Sequence, residues 1–260
     1  MVASSRVRGL VLTACCLVVS LSAFAGRHHG VDISTSSDGA MQSCDDWQVR
    51  INGEKATVSS ETIEVAGSSL AIEAAKNGGV SVRGGNSRGF SVTLCRAASS
   101  SMGSSALSQI TLRRSGDKLS VDGPSGDAWV THLIVRAPAA ASLRASATNG
   151  PVDVAEFDGT LDLDATNGPI SLEKVAGTIR ATTTNGPLSL DEASGNITLK
   201  ATNGPVTVKL TGGTWIGHSL EASSVNGPLT LSVPRGYSSG VEIRRAGHAP
   251  LGCPSPYAAR

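Results

Sequence analysis

The chain has 260 residues, a formal net charge of +1, 30 glycines and an aromatic content of 3%. A near-neutral balance gives no general attraction to nucleic acid or to an anionic membrane surface. So little aromatic surface excludes a core built on large anchors, and leaves short aliphatic and β-branched side chains in a regular array as the source of burial.

Residues 1–25 read as a secretory signal peptide. Arg6 and Arg8 form a basic start, residues 9–21 are apolar, and Ala23-Phe24-Ala25 supplies the small residues of a cleavage site. A competing reading takes Leu12-Thr13-Ala14-Cys15 as a lipobox with Cys15 lipidated. The apolar run continues beyond Cys15 and few apolar residues precede it, so the ordinary signal peptide is preferred. Cleavage after Ala25 removes two of 22 basic residues and no acidic ones, leaving 20 against 21 and a net charge near −1. No later run approaches the roughly 20 apolar residues of a transmembrane helix. The expected location is the periplasm, the cell surface or the exterior.

Residues 26–108 form an irregular N-terminal β region continuous with the repeats of 109–245, and 246–260 form a loose tail. Residues 28–42 read as a flexible start to the mature chain. Candidate strands follow at 57–65, 69–73, 79–83, 90–94, 109–113, 118–121 and 129–135. The Ser-rich stretch 99–108 reads as a loop or join, and no amphipathic helix is expected. Cys44, Cys95 and Cys253 remain after cleavage. Export permits disulfides, and Cys44–Cys95 is the preferred pair because Cys253 sits in the Pro-rich tail. Free or partly oxidised thiols are the alternative. No cysteine or histidine spacing suits zinc.

The C-terminal half carries a repeat. Asn-Gly-Pro begins at Asn149, Asn167, Asn185, Asn203 and Asn226, the first four 18 residues apart and the last interval 23. Val152, Ile170, Leu188, Val206 and Leu229 share one column, and Val154, Leu172, Leu190, Val208 and Leu231 another. Polar residues alternate between them, which is the pattern of a strand with one buried face. A second strand follows Gly159, Gly177 and Gly195, with Leu161, Ile179 and Ile197, then Leu163, Ala181 and Leu199, pointing inward. Asn and Gly tolerate left-handed backbone, and Pro suits the first residue of a strand. Stacked in register, the Asn side chains form an amide ladder.

Two all-β architectures fit this pattern. The favoured one is a single-chain β-solenoid with 18-residue coils of two short strands each; the alternative is an antiparallel β-meander or sandwich. Turn identity at every second corner and like-with-like aliphatic columns favour the solenoid. The longer interval places five extra residues within 211–219, a loop at one corner that carries Trp215 and His218. Insertions in repeat arrays fall on one face, often a binding face. Trp215 can stack on a sugar or a protein there; the blander and preferred alternative folds it back as a cap on the coil end. Trp47 and Trp129 read as core or cap residues.

The Thr-Asn-Gly-Pro corners and the Gly-x-Leu/Ile-x-Leu/Ala strands, behind a signal peptide, resemble the bacterial putative-adhesin domain of unknown function. The resemblance covers 143–233 clearly and reaches back weakly to 110. It implies a β-solenoid and a role in the cell envelope, with some members tied to envelope stress, and brings no catalytic residues.

No catalytic constellation is legible. His28 and His29 read as an ordinary flexible pair, His132 as solvent-facing, and neither His218 nor His248 falls in a nucleophile motif. Asp153, Glu156, Asp158, Asp162 and Asp164 cluster in one unit. Carbohydrate-cleaving repeat enzymes use such carboxylates, but later units replace them with Ser171, Arg180 and Thr182, so a solvated patch is the better account. Gly78-Gly79 and Gly84-Gly85 lack the ending of a phosphate loop. The expectation is a non-catalytic, adhesin-like envelope protein with no cofactor or metal. Its partner is a glycan, an envelope protein or a surface, and not nucleic acid. The alternatives are an envelope-stress-related binding protein or a β-helix polysaccharide-active enzyme.

Overall fold

The computed structural model describes residues 31–35, 40–85, 87–102 and 104–242. The expected signal peptide, Cys15, His28, His29, His248, Cys253 and the tail 246–260 lie outside the described residues. The N-terminal strands are β1 (Val31–Thr35), β2 (Trp47–Ile51), β3 (Glu54–Lys55), β4 (Thr57–Ala66), β5 (Ser69–Glu73), β6 (Gly78–Gly84) and β7 (Gly89–Ala98). A short helix α1 (Ser104–Gln109) precedes β8 (Thr111–Ser115), β9 (Lys118–Asp122) and β10 (Trp129–Ala137). The repeats supply β11 (Ala141–Ala147), β12 (Val152–Ala155), β13 (Asp158–Ala165), β14 (Ile170–Thr183) and β15 (Leu188–Ala201). They end with β16 (Val206–Lys209), β17 (Ser219–Ser224) and β18 (Leu229–Ser232).

The fold is all-β, dominated by one 15-stranded sheet. From β11 onward its repeat strands pair with one another in parallel and in the register the sequence columns define. Val152 lies opposite Ile170, Ile170 opposite Leu188, and Leu188 opposite Val206. Leu161, Ile179 and Ile197 stand opposite one another in the same way. The offset is 18 residues until the insertion, where Ile197 meets Leu220 and Val206 meets Leu229.

Each repeat contributes to two ranks of strands. One rank holds β12, β16, β18 and the first halves of β14 and β15. The other holds β11, β13, β17 and their second halves. Because β14 and β15 run through both ranks, the sheet curls on itself. The apolar columns of both ranks join one core, including Val152, Leu163, Ile170, Ile179, Leu190 and Leu199. Polar residues alternate outward on both ranks, so the two outer faces lie on opposite sides of the core. Burial at roughly 25 cal/mol per Å² of apolar surface drives the curl. The parallel ladder fixes the register, since a one-residue slip would turn each aliphatic column outward.

The stack begins upstream of the expected boundary at 109. β5 pairs in parallel with β11, setting Leu70 opposite Leu143, and β6 pairs with β12, setting Val80 opposite Val152. Residues 69–84 therefore make the first turn of the array, and residues 85–140 form an excursion between it and the next. Antiparallel pairs occur in the N-terminal half: β4 with β7, β7 with β10, β8 with β9, and the small sheet β1–β2–β3.

Two further expectations need correction. The stretch 28–42 contains β1, paired antiparallel with β2, and β2 itself is a strand that the sequence reading omitted. Its Trp47, Val49 and Ile51 alternate inward and join Met41, Val130 and Ile134 in a second, smaller core. The Ser-rich join contains the six-residue α1, whose Ala106 and Leu107 are buried against the main core. Cys44 and Cys95 are joined in a disulfide that ties the small sheet to β7.

Candidate functional site

The Asn-Gly corner is built from two stacked elements. Each Asn donates from Nδ2 to Oδ1 of the Asn one turn earlier: Asn167 to Asn149 at 2.9 Å, Asn185 to Asn167 at 2.8 Å, Asn203 to Asn185 at 2.8 Å and Asn226 to Asn203 at 2.9 Å. The ladder has a further rung that the sequence reading missed, since Asn149 donates to Asn77 at 3.0 Å. Asn77 precedes Gly78-Gly79 rather than Gly-Pro, so a search for the tripeptide passes over it. Behind each Asn, the Gly backbone packs on the Gly carbonyl of the preceding turn. A Cβ on Gly168, Gly186 or Gly204 would overlap that oxygen.

The ladder leaves a row of Thr and Asn side chains on the surface. Thr166, Thr184 and Thr202 are exposed beside Asn167, Asn185 and Asn203. The neighbouring outward column on the β12 rank is Asp153, Ser171, Ser189, Thr207 and Thr230, with a hydrogen bond between the Ser171 and Ser189 hydroxyls at 3.0 Å. Inward positions of the corner are polar only where they are satisfied. Buried Thr183 donates to the Gly168 carbonyl at 3.2 Å, and Ser224 donates to Gly204 at 2.9 Å.

At the opposite corner the left-handed residues are Glu156, Lys174 and Glu192, with φ of 54°, 52° and 54°. The turn therefore falls three residues ahead of the glycines that the sequence marks. Gly177 and Gly195 stand in extended backbone with positive φ of 110° and 113°. Charges alternate along this side: Arg83 pairs with Glu156 at 2.8 Å, Lys174 with Glu173 at 3.0 Å and Lys209 with Asp191 at 2.7 Å.

The acidic cluster does not converge. Asp153 is on the β12 rank, while Asp162 and Asp164 face outward from β13 on the other side of the core. Asp162 is held between Arg144 and Arg180, with Arg180 Nε 3.6 Å away. Asp153 departs from a solvated patch: it is partly buried opposite Ser81, and burial pushes its carboxyl up to about 6.

His132 is also corrected. It faces the small sheet rather than solvent, is 6% exposed, and its Nε2 lies 2.8 Å from the Ser81 hydroxyl. Ser81 Oγ in turn accepts from the Met41 N–H at 3.1 Å. Burial pushes the imidazole down to about 4. The ring is a neutral structural partner, closed off from solvent by the residues of the second core.

The insertion does not present Trp215 outward. Its ring is half-buried against the main core, its Nε1 donates to the Gly195 carbonyl at 3.2 Å, and its backbone N–H donates to Ser239 Oγ at 2.8 Å. His218 is exposed on the same corner. Trp47 is buried beneath the small sheet, and Trp129 donates from Nε1 to the Pro124 carbonyl at 2.8 Å. A groove of about 670 Å³ runs between β2 and β4, lined by Asp45, Trp47, Arg50, Lys55, Ser59 and Ser60. Among the described residues no group of three or more His, Cys, Asp or Glu is placed to hold a metal ion, and no helix is long and apolar enough to cross a membrane.

No protein-family model and no curated protein matches the chain. Solved structures do resemble it. A putative cell adhesion protein from Clostridium sporogenes is 10% identical, covering 68% of this chain and 99% of that one, with a TM-score of 0.37. A putative adhesin from Bacteroides fragilis is 11% identical, covering 67% of this chain and 97% of that one, with a TM-score of 0.34. A putative adhesin from Parabacteroides merdae is 10% identical, covering 67% and 95%, with a TM-score of 0.24. All three are bacterial proteins described as putative adhesins or as a putative cell adhesion protein. At such scores the architecture rests on the strand register and not on the likeness.

Proposed function

We propose that this chain is an exported, non-catalytic protein of the bacterial envelope, a single-chain β-solenoid whose rigid polar faces bind a glycan, an envelope protein or a surface. The observation that carries the reading is the exposed Thr-Asn row. Its hydroxyls and amides repeat at the strand spacing of about 4.8 Å, held by a ladder of side-chain hydrogen bonds and a glycine corner that fixes the backbone. Such a surface is pre-organised, so little side-chain entropy is lost when a long polar ligand lies along it. The Cys44–Cys95 bond accords with an oxidising, extracytoplasmic compartment.

Glycan-array and envelope-polysaccharide binding tests this reading. The wild type should bind a linear polymer, and Thr166→Lys with Thr184→Lys, both at exposed positions, should abolish the signal without unfolding the protein. Equal binding by the double variant would remove the Thr-Asn row as the site. Release of new reducing ends from any polysaccharide would instead support the enzyme alternative.

A further inference from the structure

We propose that Asn52-Gly53 is a site of spontaneous modification, deamidation to aspartate and isoaspartate, and that the Asn ladder shields every other Asn-Gly of the chain from the same reaction. The chain holds seven Asn-Gly dipeptides, at Asn52, Asn77, Asn149, Asn167, Asn185, Asn203 and Asn226. In each, the glycine backbone nitrogen is the nucleophile and the Asn Cγ its target, with no Cβ on the next residue to block the approach. The N–Cγ bond forms, the Cγ–Nδ2 bond breaks, and the proton of the attacking nitrogen leaves with the amide as ammonia. One solvent water then opens the resulting succinimide at either carbonyl, giving Asp or isoAsp. The attack needs the two atoms about 3–3.5 Å apart, so the side chain must be free to turn toward the main chain.

Six of the seven are rungs of the ladder. At Asn149, Asn167, Asn185 and Asn203 the amide is held at both ends, Nδ2 donating to the turn before and Oδ1 accepting from the turn after. Cγ swings toward the glycine only when both bonds break. At about fivefold per bond, an interior rung reacts roughly thirtyfold more slowly than a free side chain. The glycines are fixed as well. Gly150, Gly168, Gly186 and Gly204 are buried, each packed on a glycine carbonyl of the preceding turn, so the nucleophile has no room to shift. Asn77 only accepts and Asn226 only donates, which leaves the two ends of the ladder with one bond each.

Asn52 has neither restraint. It stands at φ 54° beside Gly53 at φ 82°, in the two-residue turn between β2 and β3. Both residues are exposed, and nothing lies within 4 Å of the place a Gly53 Cβ would take. Among the described residues no hydrogen bond holds the Asn52 side chain. β3 is two residues long and exposed, so the turn opens readily. Modification places a carboxylate in the turn that Arg50 and Lys55 flank, and both of these line the groove between β2 and β4. IsoAsp also lengthens the main chain by one carbon, which a two-residue turn cannot absorb while Ile51 stays paired with Glu54. This reading does not depend on which ligand the polar faces take.

Ageing the full chain, as the cell processes it, in warm, mildly alkaline buffer made with heavy-oxygen water tests the site. Peptide mapping by mass spectrometry should show label entering at Asn52 first, and at Asn167, Asn185 and Asn203 at least about thirtyfold more slowly. In strong denaturant the seven sites should react at similar rates, because the ladder is gone. Asn185→Ala removes the acceptor of Asn203 and the donor to Asn167, so both should react about fivefold faster at an unchanged circular-dichroism spectrum. Interior rungs that react as fast as Asn52 in the folded chain overturn the proposal. So does an Asn52 preference that persists in denaturant, since local sequence and not the ladder would then cause it. Should Asn185→Ala fail to fold, the contrast between folded and denatured wild type decides alone.

Discussion

The carbonyl oxygen of Gly159 occupies the space that a Cβ on Gly177 would need, and Gly177 also holds a φ of 110°. Both constraints come from the close stacking of successive turns. Gly177→Ala should therefore cost about 3 kcal/mol or more, combining overpacking with backbone strain. Gly213 has open space and no positive φ, so Gly213→Ala should fall within about 0.5 kcal/mol of wild type. Urea midpoints of the two variants test the contrast, and equal midpoints would refute the stacking argument.

The Asn ladder predicts a position-dependent cost. Asn185 both donates to Asn167 and accepts from Asn203, whereas Asn226 only donates, to Asn203. Net values of about 1 kcal/mol per hydrogen bond make Asn185→Ala roughly twice as costly as Asn226→Ala. Asn185→Asp should be worse than Ala at pH 7, since it sets a carboxylate against the Asn167 Oδ1 while removing the donor. Denaturant titrations that rank Asp above Ala would argue that the ladder contributes nothing.

How much of this was legible depends on how strongly each feature repeats. The aliphatic columns, the Asn corner and the placement of five inserted residues were readable, because each recurs at a fixed spacing and each has a local physical cause. Asn77 was hidden because its turn uses Gly79 where the others use Pro. β5 and β6 were legible as strands but not as a turn of the array, since 56 residues separate Gly84 from Ala141 and only the tertiary pairing joins them. His132 was misread for a related reason. It was read as solvent-facing, and nothing in the neighbouring residues shows that β2 covers that face of β10. The corner at Lys174 was misplaced because a charged residue in left-handed backbone carries no sequence signal, whereas Gly177 does.

Buried His132 and partly buried Asp153 should give stability a compensated pH dependence. Burial pushes the folded His132 imidazole down to about 4 from its ordinary value of 6.5, so the unfolded chain binds protons first and stability falls as pH drops from 6.5 to 4. The loss is about 3 kcal/mol, at roughly 1.4 kcal/mol per unit. Asp153 runs the other way: its folded value of about 6 lies above 3.8, so the folded chain holds the proton and stability rises as pH drops from 6 to 3.8. Asp153→Ser, which copies Ser171 one turn on, should stabilise by up to about 2 kcal/mol at pH 7.5 after allowance for its partial exposure. The variant should also lose more stability than wild type on acidification from pH 6.5 to 4. Parallel pH curves for the two proteins would contradict both assignments.

Breaking the Cys44–Cys95 link separates the small sheet from the array. A chain-entropy estimate for the loop of 51 residues gives about 4 kcal/mol for the crosslink. Most of that loss should appear at the small sheet, because the apolar columns of the repeats pack in a separate core that does not include it. Cys44→Ser with Cys95→Ser should raise amide exchange at Trp47–Ile51 by at least a hundredfold, on the order of 3 kcal/mol of local opening, while Ile170–Thr183 stays protected. Equal loosening of both would show that the second core and the array unfold as one unit.

Trp215 and His218 share a corner but have different physical roles. Trp215 packs on the core and hydrogen-bonds Gly195, bridging the insertion to the turn below it, while His218 is exposed. Trp215→Ala should lower stability by about 2–3 kcal/mol through lost packing, and Trp215→Phe by about 1 kcal/mol through the lost indole donor. His218→Ala should leave the urea midpoint unchanged. Glycan binding discriminates the remaining possibilities. If Trp215 only closes the turn, Trp215→Phe binds as wild type does. If the corner itself contacts a sugar, Trp215→Phe weakens binding and His218→Ala does so at an unaltered midpoint, and the insertion becomes part of the ligand site rather than its support.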